Sequence, residues 1–148
     1  MSARHPNLVE SDEAIAVVVR AARVAAVVGM KDESRSSEPA FVIPRMIVEH
    51  GIEVIPVNPT IASSLGRKAH ARLADVLEDF DIVNVFRRPD RIPALADEIL
   101  ALPRRPRVVW LQSGIRNDVA ALKLAEAGIQ VVQDACLGVI AARVCPRG

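Results

Sequence analysis

The chain has 148 residues, of which 51% are hydrophobic and only 3% aromatic, so the core of a single domain must consist mainly of Val, Ile, Leu and Ala. Its 19 basic and 18 acidic residues leave a net charge of +1, which argues against a broad nucleic-acid interface. Two cysteines are too few for a disulfide framework, and no apolar run reaches the roughly 18 residues that a membrane span needs. We therefore expect a soluble cytoplasmic protein with a polar, flexible N-terminus over residues 1–10.

Apolar strands and amphipathic helices alternate from residue 11 onward. The start Ser11-Asp12-Glu13 favours a first helix, and the run from Val24 to Gly29 is typical of a buried parallel strand that ends at a glycine. A second helix is expected to begin near Ser37 and to end at His50-Gly51. Pro44 lies inside that span, which predicts a kink or a delayed start.

Further apolar runs and caps define the rest of the chain. Four more strands are predicted over Glu53 to Asn58, Asp81 to Phe86, Arg107 to Gln112 and Gln130 to Asp134. Helices are predicted from Pro89 to about Leu102, from Asn117 to Gly128, over Leu73 to Leu77 and, as a last turn, from Gly138 to Arg143. Strands joined by helical crossovers predict one α/β, doubly wound, Rossmann-like domain over residues 11–148, with a five-stranded parallel sheet in the order 3-2-1-4-5.

Polar residues follow the predicted first strand, at the sheet edge where nucleotides bind in such folds. Gly29 lets backbone amides approach a ligand closely, and Ser34, together with neighbouring hydroxyls and the first amides of the next helix, can hold a pyrophosphate. Lys31 and Arg35 would supply positive charge. The alternative interpretation is a solvated loop with one tight turn.

The second strand ends at Asn58-Pro59, which argues against a dinucleotide cofactor. The standard dinucleotide fold places an acid here for the adenine ribose, and the G-x-G-x-x-G fingerprint is also missing. Pro59 can instead form a wall for an adenine ring, or the two residues can simply make a turn.

Two adjacent arginines, Arg87 and Arg88, follow the predicted third strand. Guanidinium groups bind phosphate bidentately, so the pair is a candidate phosphate site, with a solvated pair as the alternative. Arg67 and Lys68, in the loop after the second strand, are further candidates.

The ends of the fourth and fifth strands carry fewer signals. Gln112 can hydrogen-bond a ligand, and Gly114 allows close backbone approach. Cys136 is either a reactive thiol or, more commonly for cysteine, a buried small hydrophobe, and Trp110 is expected in the core or an interface. No metal-ligand spacing, Walker lysine loop or G-x-S-x-G elbow appears, so neither a metal site nor catalytic residues are predicted.

Several strand-end segments occur together in a specific order. They are Val54-Ile55-Pro56-Val57-Asn58-Pro59, Val85-Phe86-Arg87-Arg88-Pro89, Trp110-Leu111-Gln112-Ser113-Gly114-Ile115 and Cys136-Leu137-Gly138-Val139-Ile140. Over about residues 22–144 this series resembles the small stand-alone CoA-binding proteins. Those proteins are similar to the CoA-binding domain of the succinyl-CoA synthetase α-subunit.

The resemblance implies a site for coenzyme A or an acyl-CoA at the carboxyl edge of the sheet. Residues facing the pyrophosphate would be Gly29, Met30, Lys31, Ser34 and Arg35, and those toward the adenosine or its 3′-phosphate would be Asn58, Pro59 and Lys68. Val85, Phe86, Arg87 and Arg88 would line the nucleotide cleft, Gln112, Gly114 and Ile115 the pantetheine path, and Cys136 the thiol end. The chain has no match to the synthetase's second domain and phosphorylated histidine, so ligase activity by this chain alone is not expected.

The predicted site at this sheet edge is compatible with three classes of function. The first is non-catalytic binding of CoA or an acyl-CoA by a sensor, carrier or module. The second is an NAD(P)-binding enzyme or redox sensor with Arg87 and Arg88 on a 2′-phosphate, although the glycine fingerprint and a substrate domain are missing. The third is an interaction domain that kept the fold and lost its ligand. The expected partner is a small nucleotide ligand rather than nucleic acid or a membrane, and the acyl group, pathway and oligomeric state stay open.

Overall fold

Five apolar runs form one parallel sheet in the computed structural model, which describes residues 5–145. The strands are β1 (Val24–Val28), β2 (Glu53–Val57), β5 (Ile82–Val85), β6 (Val108–Leu111) and β7 (Gln130–Val132), and β3 (Ser63–Ser64) and β4 (Arg67–Lys68) form a separate antiparallel hairpin. Nearly every residue of the parallel strands is buried, as expected when helices cover both faces of a sheet. The predicted fold class, an α/β Rossmann-like domain with a five-stranded parallel sheet, is confirmed.

Helices cover the two faces of this sheet in separate layers. They are α1 (Asp12–Ala21), α2 (Pro39–Glu49), α3 (Ile92–Leu100), α4 (Asp118–Glu126) and α5 (Leu137–Val144), with 3-10 turns at Glu33–Arg35, Leu73–Asp75 and Pro89–Arg91. One apolar cluster joins α3 and α4 to the sheet, and a second joins α1, α2 and α5 to its other face. The predicted caps are present, because Ser11 accepts the N–H of Ala14 and Asn117 accepts that of Ala120.

The strand order differs from the predicted 3-2-1-4-5. The third long strand, β5, pairs with β1 instead of β2, so the sheet runs β2-β1-β5-β6-β7. Two features of the structure explain this arrangement. Pro56 lacks an N–H, which suits β2 to an edge position. The Asp81 carboxylate accepts the backbone N–H groups of Arg23 at 3.0 Å and Val24 at 2.9 Å, which fixes the start of β5 beside β1.

The observed strand order changes the expected position of the ligand-binding crevice. In an order of this type the topological switch point lies between the first and third long strands, here β1 and β5. The chain leaves β1 toward one face of the sheet and β5 toward the other, so the loops that follow them diverge at the carboxyl edge. The candidate site therefore centres on these two loops.

The N-terminal segment adds to the opposite edge of the sheet. Val9 donates its N–H to the carbonyl of Val131, and Val131 donates to the carbonyl of Asn7, so residues 7–9 pair with β7. The predicted flexible N-terminus, residues 1–10, lies partly outside the described residues, and its division from the domain stays a prediction. No helix within residues 5–145 has the length and apolar character that crossing a bilayer requires.

Candidate functional site

Gly29 brings three strand ends together at the switch point. It has φ +86°, and a Cβ atom at this position would lie 2.3 Å from the carbonyl oxygen of Phe86. Its N–H donates to the carbonyl of Val57 at 2.8 Å, while the N–H of Phe86 donates to Val28 at 2.9 Å. Only glycine combines this backbone conformation with so close a contact. The close approach predicted for Gly29 is therefore made to the protein's own backbone.

Most polar side chains of the loop after β1 form hydrogen bonds or ion pairs with other residues of the protein. Asp32 accepts hydrogen bonds from the Ser34 hydroxyl at 2.5 Å and the Ser34 N–H at 3.0 Å, and these bonds hold the pKa of Asp32 below its usual value. Arg35 pairs with Glu38 at 3.0 Å. Met30 is fully buried in the core, so it can offer a ligand only backbone groups. Within residues 5–145, the ammonium of Lys31 has no acidic partner.

A proline in the next helix anchors this loop. Pro44 is buried inside α2, which nevertheless begins at Pro39, so the predicted delayed start does not occur. Because proline has no N–H, the carbonyl of Ala40 one turn earlier receives no helical hydrogen bond from it. That carbonyl instead accepts the N–H of Lys31 at 3.1 Å. The loop after β1 is thus tied to the first turn of α2.

Asn58 holds the same loop from the side of β2. Its amide donates to the carbonyl of Met30 at 2.9 Å, and its Oδ1 accepts the N–H and hydroxyl of Thr60 at 2.9 and 2.8 Å. The residue is buried, and its side-chain amide is therefore engaged by the protein. A direct contact between Asn58 and adenosine stays a prediction.

The β3–β4 hairpin, which the sequence patterns do not predict, supports the loop after β1. Its two-residue turn, Leu65-Gly66, has φ +52° and +76°, the pattern of a primed hairpin turn. The Ser64 hydroxyl donates to the carbonyl of Lys31 at 2.7 Å, and the N–H of Leu65 donates to the Glu33 carboxylate at 3.0 Å. Lys68 lies exposed on β4, outside the cavity described next.

A cavity of about 260 Å³ opens at the carboxyl edge, between the strand ends and α3. Among its walls are Val28, Val57, Pro59, Arg72, Arg87 and Arg91. Arg87 and Arg91 have no acidic partner within the described chain, whereas Arg72 pairs with Asp75 at 3.5 Å. One carboxylate, Glu98, also lines the cavity. Three guanidinium groups around an apolar floor make it suited to a phosphorylated, partly apolar ligand.

The structure brings together only part of the predicted set around this cavity. Pro59 and Arg87 line it as the strand-end pattern suggested, but Arg88 pairs with Asp90 at 3.4 Å and is not among the lining residues. Arg72 and Arg91 were missed. Arg91 carried a usable signal, because it lies in the proline-initiated turn that directly follows Arg87 and Arg88. Arg72 carried none, since only the fold brings it here.

A buried amide network lies beneath the ends of β5 and β6. The Gln112 Oε1 accepts the N–H of Leu137, at the start of α5, at 3.0 Å and the amide of Asn84 at 3.2 Å. Both amide side chains are buried, and the Oδ1 of Asn84 has no hydrogen-bond partner within residues 5–145. Gln112 therefore caps a helix from inside the protein. Its predicted contact with pantetheine stays a prediction.

Replacing Gln112 by leucine is expected to lower the free energy of unfolding by about 3 kcal/mol, because two buried N–H donors lose their acceptor. Chemical denaturation measures this change. The matched control is Gln133→Leu, since Gln133 also accepts a backbone N–H, that of Asn117 at 2.8 Å, but is only half-buried. Water can replace that acceptor, so the control should lose about 1 kcal/mol or less. Equal losses would show that burial of the network is unimportant.

The loops after β6 and β7 are locked to each other. Asp134 has φ +54°; its carboxylate accepts the N–H of Gly114 at 2.7 Å and its N–H donates to the carbonyl of Ile115 at 3.1 Å. Cys136 is half-buried at the N-cap of α5 and makes no side-chain capping bond. Trp110 is fully buried and donates to the carbonyl of Ala135 at 2.8 Å, so its core assignment is confirmed. In the described part of the chain, no three His, Cys, Asp or Glu side chains are grouped to hold a metal ion.

Comparisons with known proteins agree with this architecture. The profile of a family described as "CoA binding domain" matches residues 23–142. YneT of Bacillus subtilis (strain 168), described as uncharacterized, is 37% identical over 136 residues, which are 92% of this chain and 95% of YneT. A Thermus thermophilus structure, cell-free ID.343, is 40% identical with a TM-score of 0.82, covering 91% of this chain and 99% of its own. A hypothetical protein from Pyrococcus horikoshii OT3 is 26% identical with a TM-score of 0.81, covering 97% and 98%. The profile match confirms the resemblance predicted from the strand ends.

Proposed function

Because this chain belongs to the CoA binding domain family, we propose that it binds coenzyme A or an acyl-CoA at the carboxyl edge of its sheet, as a module with no catalytic step of its own. The observation that carries the site assignment is the cavity lined by Arg72, Arg87 and Arg91 over apolar strand ends. Coenzyme A joins a 3′-phosphate and a pyrophosphate to a flat adenine ring. A cluster of guanidinium groups beside an apolar surface matches that combination of charge and ring.

The geometry supports one direction for the bound molecule. The phosphorylated adenosine would occupy the cavity, with the ring against Pro59 and the 3′-phosphate near Arg87 and Arg91. The pyrophosphate would lie toward Gly29 and the ammonium of Lys31, where the loops after β1 and β5 diverge. The pantetheine arm would then run past Gly114 and Ile115 toward Cys136.

The electrostatics of the edge favour this ligand over an unphosphorylated adenosine carrier. Arg87 and Arg91 lie beside the cavity without acidic partners in residues 5–145, and no carboxylate follows β2, where a ribose-binding acid is usual. An unpaired guanidinium gains most from a dianionic group such as a 3′-phosphate. NADP carries a similar phosphate on the 2′ position, so it is the competitor that matters most.

Isothermal titration calorimetry with CoA, dephospho-CoA, NADP and NAD tests the proposal. We expect CoA to bind most tightly. Dephospho-CoA should bind at least about tenfold more weakly than CoA, because dephospho-CoA lacks the phosphate that the arginines would contact. A ligand that binds only the native state also raises the melting temperature, so CoA should give the largest thermal shift. Tight NADP or NAD binding with no response to CoA would overturn the proposal.

A further inference from the structure

A second, larger cavity lies at the amino edge of the sheet, away from the carboxyl-edge site. Its volume is about 540 Å³, within the range of roughly 300–1,000 Å³ that is usual for small-molecule sites. Arg23 precedes β1 and Arg107 precedes β6, so their place in the walls locates the cavity at the strand starts. None of the strand-end motifs lies at this edge.

The walls of the amino-edge cavity are mainly apolar. They include Leu73, Val76, Leu77, Phe80, Leu102 and Pro103. Leu77 is 91% exposed, the largest exposure among the large hydrophobic side chains in the described chain. The side chains of Val76, Phe80 and Leu102 are partly buried and pack against the core cluster of α3 and α4, so they form a fixed apolar floor. Leu77 and this floor together form a contiguous apolar surface, and contiguous apolar surfaces mark ligand grooves and interaction sites.

The charged groups around this floor do not cancel. Each acid has a partner: Glu78 pairs with Arg67 at 2.7 Å and Asp79 with Arg104 at 2.5 Å. Both oxygens of the third acid, Asp81, accept backbone N–H groups.

Three of the four arginines that line the cavity have no acidic partner within residues 5–145, and Arg104 is the exception. Arg105 donates only to backbone carbonyls, those of Ala127 and Leu100. The guanidinium groups of Arg23 and Arg107 make no ion pair with any residue of the described chain. An apolar cavity is thus flanked by arginines without acidic partners.

We propose that this amino-edge cavity is a second ligand site, which binds a small amphipathic anion with an apolar body and a carboxylate or phosphate head. The apolar body lies against Phe80 and Leu102, and the head meets Arg23 and Arg107. The cavity's concave shape and apolar walls favour a small molecule, and the surplus of guanidinium groups determines its sign. Leu73 lines both this cavity and the carboxyl-edge cavity, but the two cavities have different arginines, so either site can be correct without the other.

Calorimetry with sodium octanoate, and with octan-1-ol as the uncharged analogue, tests this proposal on the full chain. Octanoate is expected to bind at least about tenfold more tightly than the alcohol. The double substitution Arg23→Gln, Arg107→Gln should remove about tenfold or more of the octanoate affinity. Both side chains are exposed, and the backbone bonds to Asp81 do not depend on them, so the variant should fold. The matched control, Arg88→Gln at the other edge, should leave octanoate binding unchanged.

Amide NMR spectra locate the ligand independently. Octanoate should shift the amide signals of Leu77, Phe80 and Leu102, and saturating CoA should not displace it. The proposal fails if octanoate does not bind, if the alcohol binds equally well, or if only signals at the carboxyl edge move. Sedimentation that shows a dimer abolished by Leu77→Asp would also overturn it, because a second copy of the chain would then cover the cavity.

Discussion

Gly29→Ala is expected to be among the most destabilising single substitutions in this chain, lowering the free energy of unfolding by about 3 kcal/mol or more. A residue with a Cβ at φ +86° is already strained by roughly 1–2 kcal/mol. In addition, the new atom would lie 2.3 Å from the Phe86 carbonyl oxygen, and that oxygen belongs to backbone fixed by β5. The ends of β1 and β5 must therefore separate. Urea denaturation followed by the fluorescence of Trp110 measures the loss.

Gly114→Ala is the matched control for this prediction. Gly114 has φ +81°, close to that of Gly29, but a Cβ there would meet no atom within 4 Å. The free energy of unfolding of Gly114→Ala should therefore fall only by the roughly 1–2 kcal/mol of backbone strain. Similar losses in the two variants would contradict the idea that the contact with Phe86 sets the spacing of the crevice.

Arg87→Ala is expected to weaken CoA binding by roughly 10- to 100-fold, which corresponds to a charge-assisted interaction of about 1.5–3 kcal/mol. Arg87 lines the carboxyl-edge cavity and has no acidic partner in the part of the chain that the structure describes. Because the proposed contact is with the 3′-phosphate, dephospho-CoA should lose much less affinity. Calorimetry with both ligands separates the two effects.

Arg88→Ala provides the control at the neighbouring position. Arg88 pairs with Asp90 at 3.4 Å and does not line the cavity, so its removal should change CoA affinity by no more than about twofold. The sequence makes Arg87 and Arg88 equivalent candidates, and the structure distinguishes them. If Arg87→Ala weakens CoA and dephospho-CoA equally, Arg87 does not contact the 3′-phosphate. That result would not contradict the proposal that the chain binds CoA.

The elements of the fold were largely predictable because their signals are local. Ser11 and Asn117 cap the predicted helices, and β-branched runs mark the buried strands. The strand order was wrong because pairing depends on distant groups: the Asp81 carboxylate that secures β5 beside β1 bonds to residues 57 and 58 positions away. The Leu65-Gly66 hairpin was missed because leucine is a rare residue at a positive φ.

The candidate site was predictable by location more than by contact. The strand ends do converge at one edge, and Pro59 and Arg87 lie on the cavity there. Asn58 and Gln112 were identified as polar strand-end residues, but a sequence cannot tell whether an amide faces a ligand or holds the protein's own backbone. In this structure both amides bond to the protein itself.

The missing hydrogen bond at Pro44 in α2 affects how substitutions in that helix act on the carboxyl edge of the sheet. In a complete helical ladder the N–H of residue 44 would also donate to the carbonyl of Ala40, so restoring it would give that oxygen a second donor beside the N–H of Lys31. Substitutions in the middle of that helix can therefore shift the segment that precedes it, although they touch nothing at the rim. Engineering for helix stability alone would risk loosening the very backbone that would face the phosphates.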